Sequence, residues 1–335
     1  MTGLPRVSIC LLTYKRAHVL PRTLDLLLAQ DYPDFELIIN DDHSPDATEE
    51  IGRAYAQRDP RVRYYRNVRN LRYADNQNVA ILRARSEYVA LVHDSDLYRP
   101  HLLSSWTRAL LAHPSAALVF NAIELMNHTR AIVRLHSHRY APLIDGRAMR
   151  NEMLSSPHSP IFGIVMLRRS RVLETGPFDP RLPTLADVDM WLRLLAKYDA
   201  AYVKDPLYAI APREVGHHNH YTNWNVRRES ELIFELNWRR CFQFEPDIGE
   251  HARRSIARML QRQRLSQFGA CFRHLEMKGM RDGLRFFASQ PPFGAQLAAD
   301  SVTTWDRIAP LVEAQSDRPA NDTLSMQFDA LKVGS

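Results

Sequence analysis

The sequence predicts an α/β protein: a Rossmann-like, mainly parallel sheet flanked by helices, with a helical C-terminal extension. Three observations carry this. Short apolar runs alternate with amphipathic stretches through residues 1–126, the pattern of βαβ units. The runs are continuous and not alternating, as strands buried on both faces require. Polar residues close them, namely Thr13, Asp41, Asp42, Asp94 and Asp96, and ligands of such sheets bind beyond the carboxyl ends of the strands.

The elements follow in order. RVSICLLTY (6–14) is a bulky apolar strand, and HVLPRTLDLLLAQ (18–30) spaces its leucines as a helix. FELIIND (35–41) is the second strand. SPDATEEIGRAYAQR (44–58) opens with a cap candidate in Ser44 or Asp46, an early proline and acids, a strong helix start. VRYYRN (62–67) is a short strand, YADNQNVAILRAR (73–85) a helix and EYVALVHD (87–94) the fourth strand. PHLLSSWTRALLAH (100–113) is helical and ALVFNAIELM (117–126) extended. Residues 130–160, with His136, His138 and His158, read as a long loop or a small antiparallel excursion. IFGIVMLRRSRVLETGPFD (161–179) is a strand, a helical turn and a Gly-Pro turn; DVDMWLRLLAKY (187–198) is an amphipathic helix and AYVKDPLYAIA (201–211) a strand. From about 225 the chain is helical and arginine-rich, and after 315 it is a polar tail. The expected division is 1–222 (halves 1–126 and 127–222) and 223–335.

With 335 residues, 45% hydrophobic and 24% charged, the composition is that of a globular protein with a sizeable core. No apolar run approaches the ~20 residues of a membrane span, and the first apolar stretch is too short for a signal peptide. The expectation is a cytoplasmic protein. Cys10, Cys241 and Cys271 lack metal-ligand spacing. The net charge of +6 favours anionic partners without choosing among them.

Four groups of residues bear chemistry. Asp94 and Asp96, two apart, share one face of an extended chain and suit a hard divalent cation shared with phosphate oxygens; a solvated turn is the bland reading. Asp41 and Asp42 close a strand where nucleotide-binding folds use an acid on a sugar or base, or they are turn residues. Asp187 and Asp189 open a helix, where acids are favoured electrostatically but can also serve as a general base. His217, His218 and His220 crowd GHHNHY, a metal set or a polar loop. Walker A, Gly-x-Gly-x-x-Gly, nucleophile-elbow and zinc-finger patterns do not occur.

Taken together, the stretches VSICLLTYKR, LLLAQDYPDFELIINDDHSPD, SEYVALVHDSDLYRP and RRSRVLETGPFDPRLPTLADVDMWLRLL resemble, in order and near-family spacing, the inverting GT-A-fold nucleotide-sugar glycosyltransferases of family 2. The resemblance covers about residues 6–220. It implies a nucleotide-sugar site of Thr13, Tyr14, Arg16, Asp42, Asn78, Asp94, Ser95 and Asp96. It also implies a DxD clamp for Mn²⁺ or Mg²⁺ at Asp94 and Asp96, with His218 as a weaker metal ligand, and Asp187 as catalytic base. Arg213, His217 and His218 are placed near the diphosphate. The implied partners are a nucleotide-diphosphate sugar and a hydroxyl acceptor: a glycan, a lipid-linked glycan or a natural product. Nucleic acid is not among them.

The chain departs from the pattern at several points. Lys15 stands for the family's asparagine, Arg72 and Ala80 for glycines, Gln77 for arginine, Ala186 for the glutamate before the base, and His93 for an apolar residue. The C-terminal helices can complete the cleft, dimerise, or touch the inner face of a membrane. Two other readings compete. A nucleotidyltransferase would need a glycine-rich phosphate loop after the first strand, which TYKRAHVLPR lacks. A non-catalytic nucleotide-sugar or polyanion-binding protein of the same fold is countered by the presence of Asp94, Asp96 and Asp187.

Overall fold

The structure, a computed structural model, describes residues 6–155, 159–182, 184–212, 233 and 305–313. Its first half is the expected alternation: β1 (Val7–Thr13), α1 (Leu20–Leu28), β2 (Phe35–Asp41), α2 (Thr48–Arg58), β3 (Val62–Arg66), α3 (Arg72–Arg83), β4 (Tyr88–His93), β5 (Leu97–Tyr98), α4 (Leu102–Ala112) and β6 (Ala116–Met126). There follow β7 (Ile132–His136), β8 (Leu143–Ile144), α5 (Gly146–Ser155), β9 (Val165–Arg168), α6 (Arg169–Thr175), α7 (Ala186–Leu195), β10 (Asp199–Ile210) and α8 (Trp305–Glu313). Residues 130–155 therefore hold the antiparallel excursion, as β7 and β8, followed by the helix α5 and not a long loop.

All ten strands form one sheet in the order β3-β2-β1-β4-β9-β6-β10-β5, with β7 on β6 and β8 on β10. β1 is parallel to β2 and β4, and β6 is parallel to β10. β9 is inserted antiparallel between β4 and β6. The sheet buries β1 completely, from Val7 to Thr13. Its alternate residues serve two cores. Cys10 and Leu12 face a layer holding α3, α5, α7 and α8, through Val79, Met149, Trp191 and Ile308. Val7, Ile9 and Leu11 face α1, α2 and α4 through Leu24, Tyr55 and Trp106. Helices on both faces are what the unbroken apolar strands demanded.

Two local expectations are corrected. α2 starts at Thr48, not Ser44: Asp46 Oδ1 accepts from the Thr48 amide at 3.2 Å and hydroxyl at 2.6 Å. The Ser44 hydroxyl instead accepts the Lys15 N–H at 3.0 Å, tying the loop after β1 to that after β2. Asp94-Ser95-Asp96 is a bend between β4 and β5, not extended strand. The Tyr98 hydroxyl fills that bend, accepting the His93 N–H at 2.8 Å and donating to the His93 carbonyl at 2.7 Å. Among the described residues no helix is long and apolar enough to cross a membrane. Arg213, His217, His218, His220, Cys241, Cys271, His158 and most of the expected C-terminal extension lie outside the described residues.

Candidate active site

The carboxyl ends of β1, β2 and β4 bring Thr13, Asp41, Asp42, Asp94 and Asp96 to one edge, all of them buried. They do different work. Asp41 accepts from the Ser44 N–H at 2.9 Å and the Tyr64 hydroxyl at 2.6 Å, so its carboxylate folds the loop after β2. Asp42 accepts from Asn67 Nδ2 at 2.9 Å, the Leu71 N–H at 2.7 Å and the Arg72 N–H at 2.9 Å. Burial nevertheless raises its carboxyl above the ordinary value, with Asp41 beside it adding to the rise. Asp42 Oδ2 receives one of these bonds, and a carboxylate oxygen can accept two, which leaves it capacity for a ligand.

Asp94 and Asp96 are held from several sides. The Thr23 hydroxyl of α1 donates to the Asp94 carbonyl at 2.7 Å. The Tyr14 N–H reaches Asp94 Oδ2 at 3.4 Å, and Arg16 Nε lies 3.7 Å from its Oδ1. Burial pushes the Asp94 carboxyl up to about 6, more than the Thr13 hydroxyl and Arg16 bring it down. Asp96 Oδ1 accepts the Ala211 N–H at 3.0 Å, just past β10, and its Oδ2 is 3.9 Å from His93 Nδ1. Tyr14 is 39% exposed and Ser95 half-buried, so both reach the surface at this edge.

The start of α7 separates its two acids. Asp189 is buried and pairs with Arg193 Nε at 2.7 Å. Arg193 in turn binds the carbonyls of Thr175, Gly176 and Pro177, so Asp189 clamps the α6–α7 connection. Asp187 is half-buried, and its Oδ1 accepts the Val188 N–H at 2.8 Å. A Cβ at Gly163 would lie 2.7 Å from the Tyr73 hydroxyl, 3.2 Å from His93 Cε1 and 3.3 Å from Asp187 Oδ2. The base candidate, an imidazole and a phenol thus ring one point, and His93 connects it to Asp96.

Asn78 is placed elsewhere in purpose. It is fully buried, its Nδ2 donates to the Phe178 carbonyl at 3.0 Å, and its Oδ1 accepts the Phe178 N–H at 2.8 Å. This amide docks the loop before α7 on α3. Sequence reasoning missed Tyr73 and Gly163 and treated His93 merely as a departure. A polar residue ending a buried strand, and a glycine between bulky apolar residues in IFGIV, were the available signals.

A mixed sheet with helices on both faces, and acids gathered beyond the carboxyl ends of its parallel strands, is the GT-A arrangement. Residues 8–174 match the model described as Glycosyl transferase family 2, and the chain belongs to that family. It is 26% identical over 245 residues to Bacillus subtilis (strain 168) TuaG, named as a teichuronic acid biosynthesis glycosyltransferase, covering 71% of this chain and 93% of TuaG. Escherichia coli (strain K12) WcaA, named as a colanic acid biosynthesis glycosyl transferase, is 28% identical over 198 residues, covering 59% of this chain and 69% of WcaA. The crystal structure of S. aureus TarS 1-349 in complex with UDP-GlcNAc has a TM-score of 0.64 at 18% identity, covering 92% of this chain and 84% of that one.

Proposed function

We propose that the protein moves a sugar from a nucleotide diphosphate to a hydroxyl acceptor by a single inverting displacement, with Asp187 as general base. The observation that carries this reading is the grouping of Asp187 Oδ2, His93 and the Tyr73 hydroxyl around Gly163, one side chain away from Asp96. Asp187 takes the proton of the acceptor hydroxyl as its oxygen attacks the anomeric carbon, and the nucleoside diphosphate departs on the opposite side. Asp189 is committed to Arg193, so the acids of α7 supply one proton acceptor and no second carboxylate to act as nucleophile.

Thr13, Tyr14, Arg16, Asp42, Ser95, Asp94 and Asp96 hold the donor's nucleotide end. Arg16 lies beside Asp94, where its guanidinium can also face a phosphate. Asp94 and Asp96 suit Mn²⁺ or Mg²⁺: both are buried hard-oxygen donors, and the upward push on Asp94 is a cost that a neighbouring cation relieves. Among the described residues no cluster of three or more His, Cys, Asp or Glu could hold a metal. Two carboxylates with phosphate oxygens completing the shell is the usual way Mg²⁺ is bound. Held there, such a cation would supply positive charge against that of the departing diphosphate. The UDP-GlcNAc in the TarS structure supports a nucleotide-sugar donor. The names of TuaG and WcaA support a polysaccharide acceptor.

Calorimetry with UDP, GDP and dTDP, with and without Mn²⁺, tests the donor half. One nucleotide should bind with metal, and Asp96→Ala should weaken it at least about tenfold. Asp187→Asn should keep that binding and lose about 10²–10⁴-fold in turnover, the span of general-base catalysis. Full turnover by Asp187→Asn would remove the base assignment.

A further inference from the structure

The β6–β7 hairpin stands apart from the rest of the sheet. β7 pairs along the end of β6, from Ile123↔His136 to Met126↔Ile132, and residues 128–135 are exposed throughout. Ile132, Val133 and Leu135 are 49%, 60% and 55% exposed. The register shifts between Arg134 and Ile132, which breaks strict alternation there, and Ile132, Val133 and Leu135 all offer aliphatic side chains to solvent. Scattered apolar residues on a surface need no account, whereas a run of them on an edge strand is something proteins normally cover or blunt.

The charge of the hairpin says what covers it. No acidic residue occurs between Glu124 and Asp145, while Arg130, Arg134, Arg139, His128, His136 and His138 do. A second copy on this strand would bring arginine against arginine, and a nucleic acid would leave the aliphatic side chains unused. Aliphatic side chains flanked by arginine match an anionic lipid interface in both respects. The tip is also well formed: Asn127 Oδ1 accepts the N–H groups of Thr129 and Ala131, each at 3.0 Å, and the Asn127 N–H donates to the Ala131 carbonyl at 2.9 Å.

Its place relative to the cleft follows from the register. Tyr98, Tyr208, Ile123 and His136 form one row across the sheet. Three strand spacings of about 4.8 Å separate the ends of that row by roughly 14 Å, and Tyr98 is two residues past Asp96. The His136 ring also packs edge-on against Phe162 at 6.2 Å, next to Gly163. We propose that the hairpin 127–136 docks the protein on an anionic lipid bilayer, with Ile132, Val133 and Leu135 entering the interface and Arg130 and Arg134 on the headgroups. The docking carries the cleft to the bilayer surface, where a lipid-borne acceptor is presented. That last consequence rests on the glycosyl-transfer reading; the docking does not.

The test is co-sedimentation of the full chain with phosphatidylcholine vesicles containing about 30% phosphatidylglycerol, against phosphatidylcholine alone. Wild type should sediment with the anionic vesicles and release at high salt. Arg134→Ser should bind about fivefold more weakly, and Val133→Ser/Leu135→Ser at least about tenfold more weakly. Asp187→Asn should sediment like wild type, so a failure of the catalytic reading leaves this result untouched. The proposal is overturned if wild type ignores anionic vesicles, binds neutral ones equally, or binds as well with both hairpin variants. It is equally overturned if ultracentrifugation finds a dimer that Val133→Ser/Leu135→Ser dissociates without vesicle binding.

Discussion

Replacing Gly163 by alanine probes the space in front of Asp187. The φ of Gly163 lies outside the left-handed region, so the backbone accepts a Cβ and the effect is steric. That Cβ would meet the Tyr73 hydroxyl at 2.7 Å, His93 Cε1 at 3.2 Å and Asp187 Oδ2 at 3.3 Å. Restoring an ordinary contact of about 3.4 Å moves the phenol about 0.7 Å and the other two groups a few tenths. The phenol ends a flexible side chain, so the fold should survive at a cost of about 1 kcal/mol. Catalysis is less tolerant, because reacting atoms are held about 3–3.5 Å apart and an error of ~1 Å can cost about 10²-fold. Gly163→Ala should therefore lower kcat about 10–100-fold while leaving the nucleotide Kd within about twofold, because the methyl meets Asp187 and its neighbours and not Asp94. The assay is nucleoside diphosphate release from the sugar nucleotide chosen by the calorimetric screen, beside a thermal melt. Adding Tyr73→Phe removes the closest contact and should return part of the rate. Wild-type kcat in Gly163→Ala would mean that the acceptor hydroxyl does not react beside Asp187.

Two further outcomes concern the frame around the site. Glu36 is a buried residue of β2; burial alone would raise its carboxyl, but the Ser8 hydroxyl, the Arg85 N–H and Arg63 outweigh it and hold it below the ordinary value. A depressed carboxyl stabilises the fold above its unfolded value of about 4.3 and stops doing so as pH falls through the folded value. Glu36→Gln should thus cost about 2–3 kcal/mol near pH 7 and progressively less below about pH 4, read as urea midpoints across pH. Arg72 has φ 65°, where glycine is unstrained, so Arg72→Gly should be neutral or stabilising by up to about 1 kcal/mol despite lying in the first turn of α3. A loss above about 1 kcal/mol in a chemical melt would show that the Arg72 side chain, and not its N–H, holds the loop.

The parallel half of the fold was legible because burial on both faces writes itself into local sequence: VSICLLT and ALVFNAIELM have no polar phase to misread. β9 was legible as a strand but not in direction, since its insertion between β4 and β6 is settled by long-range pairing that no local pattern carries. The same limit applies to the site. DxD and Asp187 could be picked out as carboxylates at strand and helix ends, whereas the sequence offers Asp41 and Asp42, or Asp187 and Asp189, as equal pairs. What separates each pair is a distant partner: Tyr64 for Asp41, Arg193 for Asp189. Asn78 likewise has a distant partner that no local pattern carries, the backbone of Phe178 a hundred residues on.

The family's departures acquire a physical meaning at the loops after β1, β2 and β3. Lys15, His43 and Arg72 all have positive φ, at 57°, 64° and 65°, a conformation that costs a side-chain-bearing residue roughly 1–2 kcal/mol. At two of these the backbone amide is engaged: Lys15 donates to Ser44 at 3.0 Å and Arg72 to Asp42 at 2.9 Å. Asp42 itself binds back to β1, its N–H donating to the Thr13 carbonyl at 2.9 Å. The three loops are thereby laced to one another at the edge where the donor site is proposed. Asparagine and glycine meet such a backbone requirement cheaply, so their replacement by Lys15 and Arg72 keeps the loop shape at some expense in stability. It also puts two cationic residues on the turns that border Asp42 and Asp94, where on the proposed function they add positive charge beside an anionic donor.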